Sequence, residues 1–244
     1  RVALTPHWEP LEFLDEENTF RGITADYLQH IGEILGTDFQ FVKITSWQEK
    51  TTAPLAQQGA SMYAAVEKTP LQEESLFLTE PYLSLPMVVF NREEAPYISD
   101  LDELAGKKVA VVRGHAVITY LREHYPLLDL MELPGITEAL QQVQQKKAEA
   151  HIGSILITTH YIRKEGFTGL KVAGQTDYTE KIALGTDKEL PILASLLRKG
   201  LNALPQEERQ NISRKWMSIT YERHMDYSLV WKILLGATAL FILF

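Results

Sequence analysis

The chain contains no cysteine. That excludes a disulfide framework, a thiolate metal site and a cysteine nucleophile. It also lacks any run of Lys or Arg longer than pairs such as Lys107-Lys108, and its net charge is −8. Phosphate backbones are held by clustered cations, so no nucleic-acid partner is expected. The seven histidines, His7, His30, His115, His124, His151, His160 and His224, are scattered, with no H-E-x-x-H or comparable ligand spacing. No zinc site is expected from them. Neither a G-x-S-x-G elbow nor a P-loop occurs, so the residues give no catalytic constellation and call for no cofactor. There is no internal repeat and no low-complexity segment. No leader precedes the strand-like V-A-L at Val2, and the chain reads as a mature or excised fragment. Long apolar runs are absent with one exception, Ile233–Phe244, which carries no charge.

What is present is ordinary globular material: 244 residues, 45% hydrophobic and 23% charged. That suffices for one large or two small domains. Val2–Thr5 reads as a short strand, and Pro10 marks a loop after it. Tyr27, Leu28, Ile31, Ile34 and Leu35 recur at helical spacing, with Gly36 as the stop. Phe39, Phe41 and Ile44 alternate as a strand. Ser46 is a reasonable N-cap for a helix that ends at Gly59. Met62–Val66 and Val109–Val112 are continuous apolar runs of the kind buried parallel strands show. Arg113-Gly114-His115-Ala116 follows the second of these and turns into a helix through Ile118, Leu121 and Arg122. Such a strand–glycine–helix turn presents free N–H groups and a helix dipole to an anion; a bare turn without a ligand has the same sequence. Thr137–Gln145, Ile155–Gly166 and Leu190–Leu204 read as helices, the last with Leu193, Leu196, Leu197, Leu201 and Leu204 on one face. Leu130–Leu133 and Leu170–Ala173 read as strands, and Glu207–Trp216 as a terminal helix.

The most informative stretch is Glu67–Pro86, E-K-T-P-L-Q-E-E-S-L-F-L-T-E-P-Y-L-S-L-P. It resembles the T-P-x-R…F-(S/T)-x-P-Y segment of the type-3 periplasmic solute-binding domains, the two-lobed Venus flytrap fold. Leu101–Val109 is similar to that family's L-x-D-L-x-G-K-x-V segment, and Ala148–Ser154 to its (D/E)-A-x-(V/I)-G-(D/N) strand end. The resemblance runs from Val2 to about Tyr221. It implies an α/β chain of the type II periplasmic-binding-protein architecture, with two lobes joined by two crossing strands. Lobe 1 would be discontinuous, residues 1–90 and 178–222, and lobe 2 would be residues 91–177. The crossing strands would be Pro86–Asn91 and Asp177–Leu184. Residues 223–244 would be a juxtamembrane segment and the start of a transmembrane helix. Tyr227 and Trp231 suit an interfacial belt, Lys232 can snorkel, and the run lacks the polar face of a soluble terminal helix.

The resemblance also implies a site. Trp8 would face the cleft with Glu12 beside it, or else pack on the core. Trp47, Ala65, Glu67, Gln72, Tyr82, Gly114, His115, Ala116 and Ser154 complete the expected ligand-binding set. Two positions depart from the family: its carboxylate-binding Arg is Gln72 here, and its amine-binding Asp or Asn is Ser154. The usual amino-acid clamp is therefore not expected. The cleft should take a neutral or cationic solute, or an anion at the Gly114-His115-Ala116 turn, or signal without such a ligand. Glu67 stands where the family has a small hydroxyl residue, and either points to solvent or binds a cationic or polyhydroxyl group. The implied function is a periplasmic sensor domain of an inner-membrane receptor, binding a small polar solute and driving a histidine kinase or diguanylate cyclase. It would touch the membrane through its C-terminal helix, and a homodimer is compatible with it. A transport-associated binding protein is the second reading, disfavoured by the tail. An enzyme of the lytic transglycosylase or dehydratase type is the third, disfavoured because Glu67 shows no catalytic partner.

Overall fold

The computed structural model describes residues 1–5, 7–44 and 55–217. Ser46, Trp47 and the C-terminal segment with Tyr227, Trp231, Lys232 and Ile233–Phe244 lie outside the described residues. Among the described residues no helix is long and apolar enough to cross a membrane.

The chain begins with β1 (Val2–Leu4), followed by a small antiparallel sheet of β2 (His7–Trp8), β3 (Glu12–Leu14) and β4 (Phe20–Arg21). The sequence reads as a loop here. Pro10 does sit in a turn, but His7–Trp8 and Glu12–Phe13 pair across that turn in strands too short for a period-2 pattern. Helix α1 (Ile23–Leu35) buries Ile23, Tyr27, Leu28 and Ile31, and Gly36 ends it at φ 63° with its N–H on the Gly32 carbonyl. β5 (Phe41–Lys43) is shorter than the pattern from Asp38 predicts. All six residues of β6 (Met62–Glu67) are buried. The Thr-Pro segment after it is a short helix, α2 (Pro70–Ser75), where a polar turn is expected. Pro70 presets φ at the first helical position, and the Thr69 hydroxyl accepts from the Gln72 N–H at 3.3 Å.

β7 (Leu76–Leu78) leads to β8 (Leu83–Arg92), and the chain continues through β9 (Lys108–Val112), α3 (Val117–His124), β10 (Asp129–Leu133), α4 (Ile136–Gln144), β11 (Ala150–Ser154) and α5 (Ile155–Lys164). Next comes β12 (Leu170–Asp187), one strand of 18 residues with register shifts, where the sequence suggests two separate strands. Gly174 lies at one shift, and a Cβ there would stand 2.5 Å from the Ile98 carbonyl oxygen, so the close approach requires glycine. Helices α6 (Pro191–Ala203) and α7 (Gln206–Met217) complete the described chain. On α6, Leu197, Leu201 and Leu204 are buried, but Leu196 is 44% exposed, one residue off the packed stripe.

The main sheet has the order β10-β9-β11-β8-β12-β6-β1-β5. Strands at each end run parallel (β9 with β10 and β11, β1 with β5 and β6), while β8 and β12 pair antiparallel in the middle. Two apolar cores flank that central pair. One gathers Val2, Leu4, Ile23, Leu28, Ile31, Met62, Ile182, Leu197 and Leu201. The other gathers Leu101, Val109, Val111, Leu121, Leu128 and Ile152. β8 serves both: Leu83 and Leu85 enter the first, Met87 and Val89 the second, at the two-residue spacing of one strand face. This is the two-lobed α/β fold of the periplasmic binding proteins.

Candidate functional site

The carboxyl ends of β6 and β9 meet across the groove between the cores. Ligands of open α/β sheets sit outside such strand ends. A cavity of about 800 Å³ lies there, and both lobes line it. From lobe 1 come Tyr63, Glu67, Thr69 and Gln72; from lobe 2 come Arg113, Gly114, His115, Ala116, Tyr120 and Arg122; Tyr178 comes from β12.

Glu67 is the last residue of β6 and is 8% exposed. Its carboxylate accepts a hydrogen bond from the Tyr178 hydroxyl, and the nearby Ala116 N–H favours its charged form. Burial raises the Glu67 pKa above the ordinary carboxylate value, and these two groups partly offset this. The Tyr178 hydroxyl is raised in turn, first by burial and then by the Glu67 charge. Gly114 turns the chain at φ 83°, a left-handed conformation that favours glycine, and the His115 N–H that follows bonds the Val112 carbonyl at 3.4 Å just ahead of α3. At the outer rim, Glu132 bridges two cations, with Arg122 at 2.5 Å and Arg113 at 3.9 Å. Both arginines are more than 60% exposed, so the pairs are solvent-screened and weak. Tyr120 forms an aromatic wall with Tyr178 at 5.0 Å and His124 at 4.3 Å between ring centroids.

Two more contacts join the lobes. The Trp8 ring meets His115 edge-on at 6.4 Å. Glu9 takes Lys164 at 2.7 Å and His160 at 3.1 Å, both on α5. Burial works to raise the Glu9 pKa, but the bonds from Lys164 and His160 outweigh it and hold the carboxyl below its ordinary value.

Of the residues singled out from sequence, the structure brings Glu67, Gln72, Gly114, His115 and Ala116 together at the cavity. Apart from Trp47, the others stand behind it. Glu12 is fully buried and accepts from the Thr5 N–H at 2.9 Å. Ala65 belongs to the lobe 1 core. Tyr82 is buried, its hydroxyl donating to the Ala64 carbonyl at 3.0 Å. Ser154 caps α5, its hydroxyl oxygen 3.5 Å from the Ile157 N–H. It also borders a cavity of about 20 Å³ with His115, His151 and Glu180, room for about one water. Trp47 lies outside the described residues. Tyr178, Tyr120 and Arg122 line the cavity without any signal in the sequence. Arg113, the first residue of the turn motif read from sequence, also lines the cavity. Among the described residues no group of three His, Asp or Glu could hold a metal ion.

Comparison with known proteins agrees with this geometry. Residues 1–219 match the model of the bacterial extracellular solute-binding proteins, family 3. Over 217 residues the chain is 28% identical to the virulence sensor protein BvgS of Bordetella bronchiseptica, covering 88% of this chain. It is 23% identical over 223 residues to the sensor protein EvgS of Escherichia coli K12, covering 90% of this chain. The chain spans only 17% of the BvgS length and 18% of the EvgS length. Among solved structures, the BvgS periplasmic VFT2 domain of Bordetella pertussis superposes with a TM-score of 0.79 at 27% identity, covering 88% of this chain and 92% of that one. An ancestral arginine-binding protein bound to arginine shares the fold, at a TM-score of 0.77 and 20% identity, covering 88% and 96%. The family match takes in both lobes and nearly every described residue: the chain belongs to family 3 of the bacterial extracellular solute-binding proteins.

Proposed function

We propose that the chain is the periplasmic sensing domain of an inner-membrane signalling receptor, with a small polar solute as its input. The observation that carries this reading is the cavity of about 800 Å³ bounded by both lobes. A solute there contacts both lobes only when they are closed, so it stabilises closure by its differential affinity for the two states. In this reading residues 1–90 and 178–222 form lobe 1, residues 91–177 form lobe 2, and β8 and β12 are the hinge. Helix α7 leads toward the segment at Ile233–Phe244, which enters the membrane, and closure is passed to a cytoplasmic kinase or cyclase. The relatives BvgS and EvgS are sensor proteins several times longer than this chain, which supports an output module elsewhere in the full protein.

The solute is not a free α-amino acid held by a carboxylate-binding arginine and an amine-binding carboxylate. Gln72 offers only an uncharged amide where the family has arginine, and the Ser154 hydroxyl is turned to capping α5. Losing a charged partner to a desolvated ion costs about 2–5 kcal/mol. Titration of the chain with the twenty amino acids, and with neutral and cationic polar solutes, tests this calorimetrically. Binding is expected among the second set and is expected to weaken in Gln72→Ala. Micromolar binding of an α-amino acid, abolished in that variant, overturns the specificity reading. A saturating solute at a hundredfold excess over Kd adds about 2.7 kcal/mol of stability, a shift that thermal unfolding detects.

A further inference from the structure

The Gly114-His115-Ala116 turn opens α3, and the Glu67 carboxylate faces it across the cavity that both line. Glu67 reaches there from the end of β6, accepts from the Tyr178 hydroxyl, lies near enough to the Ala116 N–H for that group to lower its pKa, and is 8% exposed. Ala116 leads into α3, whose dipole favours a negative group at this end. Tyr178 packs against the lobe 2 core and lies 5.0 Å from Tyr120. A lobe 1 side chain therefore stands where an anionic group of a bound solute would stand, tied to the lobe 2 core through the ring of Tyr178 on the hinge strand β12.

We propose that Glu67 is a built-in ligand: its carboxylate fills the anion seat of lobe 2, closes the cleft without any solute, and excludes carboxylate-bearing solutes from that seat. This deepens the reading of the cleft as the solute site and rests on it. The remaining cavity lies outward of Glu67, between Gln72, Thr69, Tyr120 and the Arg113–Arg122 rim. A solute bound there meets a seat already taken, and its contribution to closure adds to that of Glu67. The tether is intramolecular, so the carboxylate's effective concentration at the seat is high, and a free carboxylate displaces it only at a disadvantage.

The absence of cysteine makes the test direct, since introduced thiols are the only ones in the chain. Spin labels at Lys188→Cys in lobe 1 and Leu127→Cys in lobe 2, both exposed positions, report the separation of the lobes. The whole chain is used, in detergent. Without solute, the parent protein is expected to show mainly the short distance. Glu67→Ala should move the majority of molecules to a longer distance, and tens of millimolar acetate should restore the short one by refilling the seat. Tyr178→Phe removes one donor with little change of shape and should open a smaller fraction; it decides the matter if Glu67→Ala fails to fold. A parent protein already open, an unchanged distribution in both variants, or an opened Glu67→Ala that acetate leaves open would each overturn the proposal. Loss of solute binding in Gln72→Ala with no change in the distance distribution supports the outer cavity as the solute site. A parent protein that closes without solute yet binds none of the tested solutes would sink the site reading and leave the Glu67 seat standing.

Discussion

His151 lies on β11, 1% exposed, with Nδ1 3.0 Å from the Ala110 carbonyl and its ring stacked 6.0 Å from Phe90. Burial pulls its pKa down to about 4. In the unfolded chain the same group titrates near 6.5. The unfolded state thus takes up the proton first, and the neutral ring's contribution is fully present above pH 6.5. It is lost as pH falls toward 4, to a total of about 3 kcal/mol. Thermal unfolding between pH 7 and pH 4 should show this loss, and His151→Gln should flatten that part of the profile. The neighbouring Gly153 is packed as tightly. A Cβ there would lie 2.4 Å from His151 Nε2 and 2.6 Å from Thr158 Oγ1. Gly153→Ala should therefore destabilise by about 1–3 kcal/mol through overpacking, read as a drop in Tm. Neither effect was legible in A-H-I-G-S, because burial and close approach depend on β8, β9 and α5, which arrive from elsewhere in the chain.

At the scale of elements, end signals were legible and partnerships were not. Gly36 stops α1 as its residue type requires, and the helix read from Leu190 begins one residue later, at Pro191. Thr69 and Pro70 start a helix where a turn is expected, since six exposed or half-buried residues give no apolar stripe to read. The approach to lobe 2 is fixed by a capping box: Asp100 accepts from the Asp102 N–H at 2.9 Å, and Glu103 accepts from the Ser99 N–H at 2.9 Å and the Asp100 N–H at 3.1 Å. Asp100→Ala removes one half of this exchange and should cost about 0.5–1 kcal/mol. Chemical denaturation should show a lower midpoint with an unchanged slope, because the exposed surface is the same. The long strand β12 reads as two because Gly174-Gln175-Thr176-Asp177 interrupts its apolar pattern. Pairing with β8 carries the strand through that polar stretch, with shifts of register on either side.

For the whole molecule, the balance between open and closed lobes is the functional variable. Glu9 ties lobe 1 to α5 through Lys164 and His160. The Lys164 side chain is 46% exposed, so the tie is solvent-screened and worth under about 1 kcal/mol. A change of 1 kcal/mol still alters a closed-to-open ratio about fivefold. Glu9→Gln should lower the unfolding midpoint by less than about 4 °C and raise the radius of gyration in small-angle scattering. An unchanged scattering curve would show that this pair does not contribute to closure.

The sequence by itself determined the buried strands at Met62–Val66 and Val109–Val112 and the turn at Gly114, which follow from local pattern and residue type. The fold class came from the resemblance of its motifs to the solute-binding family, and so did the expectation that Gln72 and Ser154 stand in place of that family's charged pair. Only the tertiary structure decided what Glu67 does. From sequence it faced solvent or a cationic or polyhydroxyl solute; in the fold its carboxylate meets the Ala116 N–H and the Tyr178 hydroxyl. The physical reason is distance along the chain. Tyr178 is 111 residues from Glu67, and a hydrogen bond between them exists only because β12 returns beside β6. No pattern within either segment encodes that meeting.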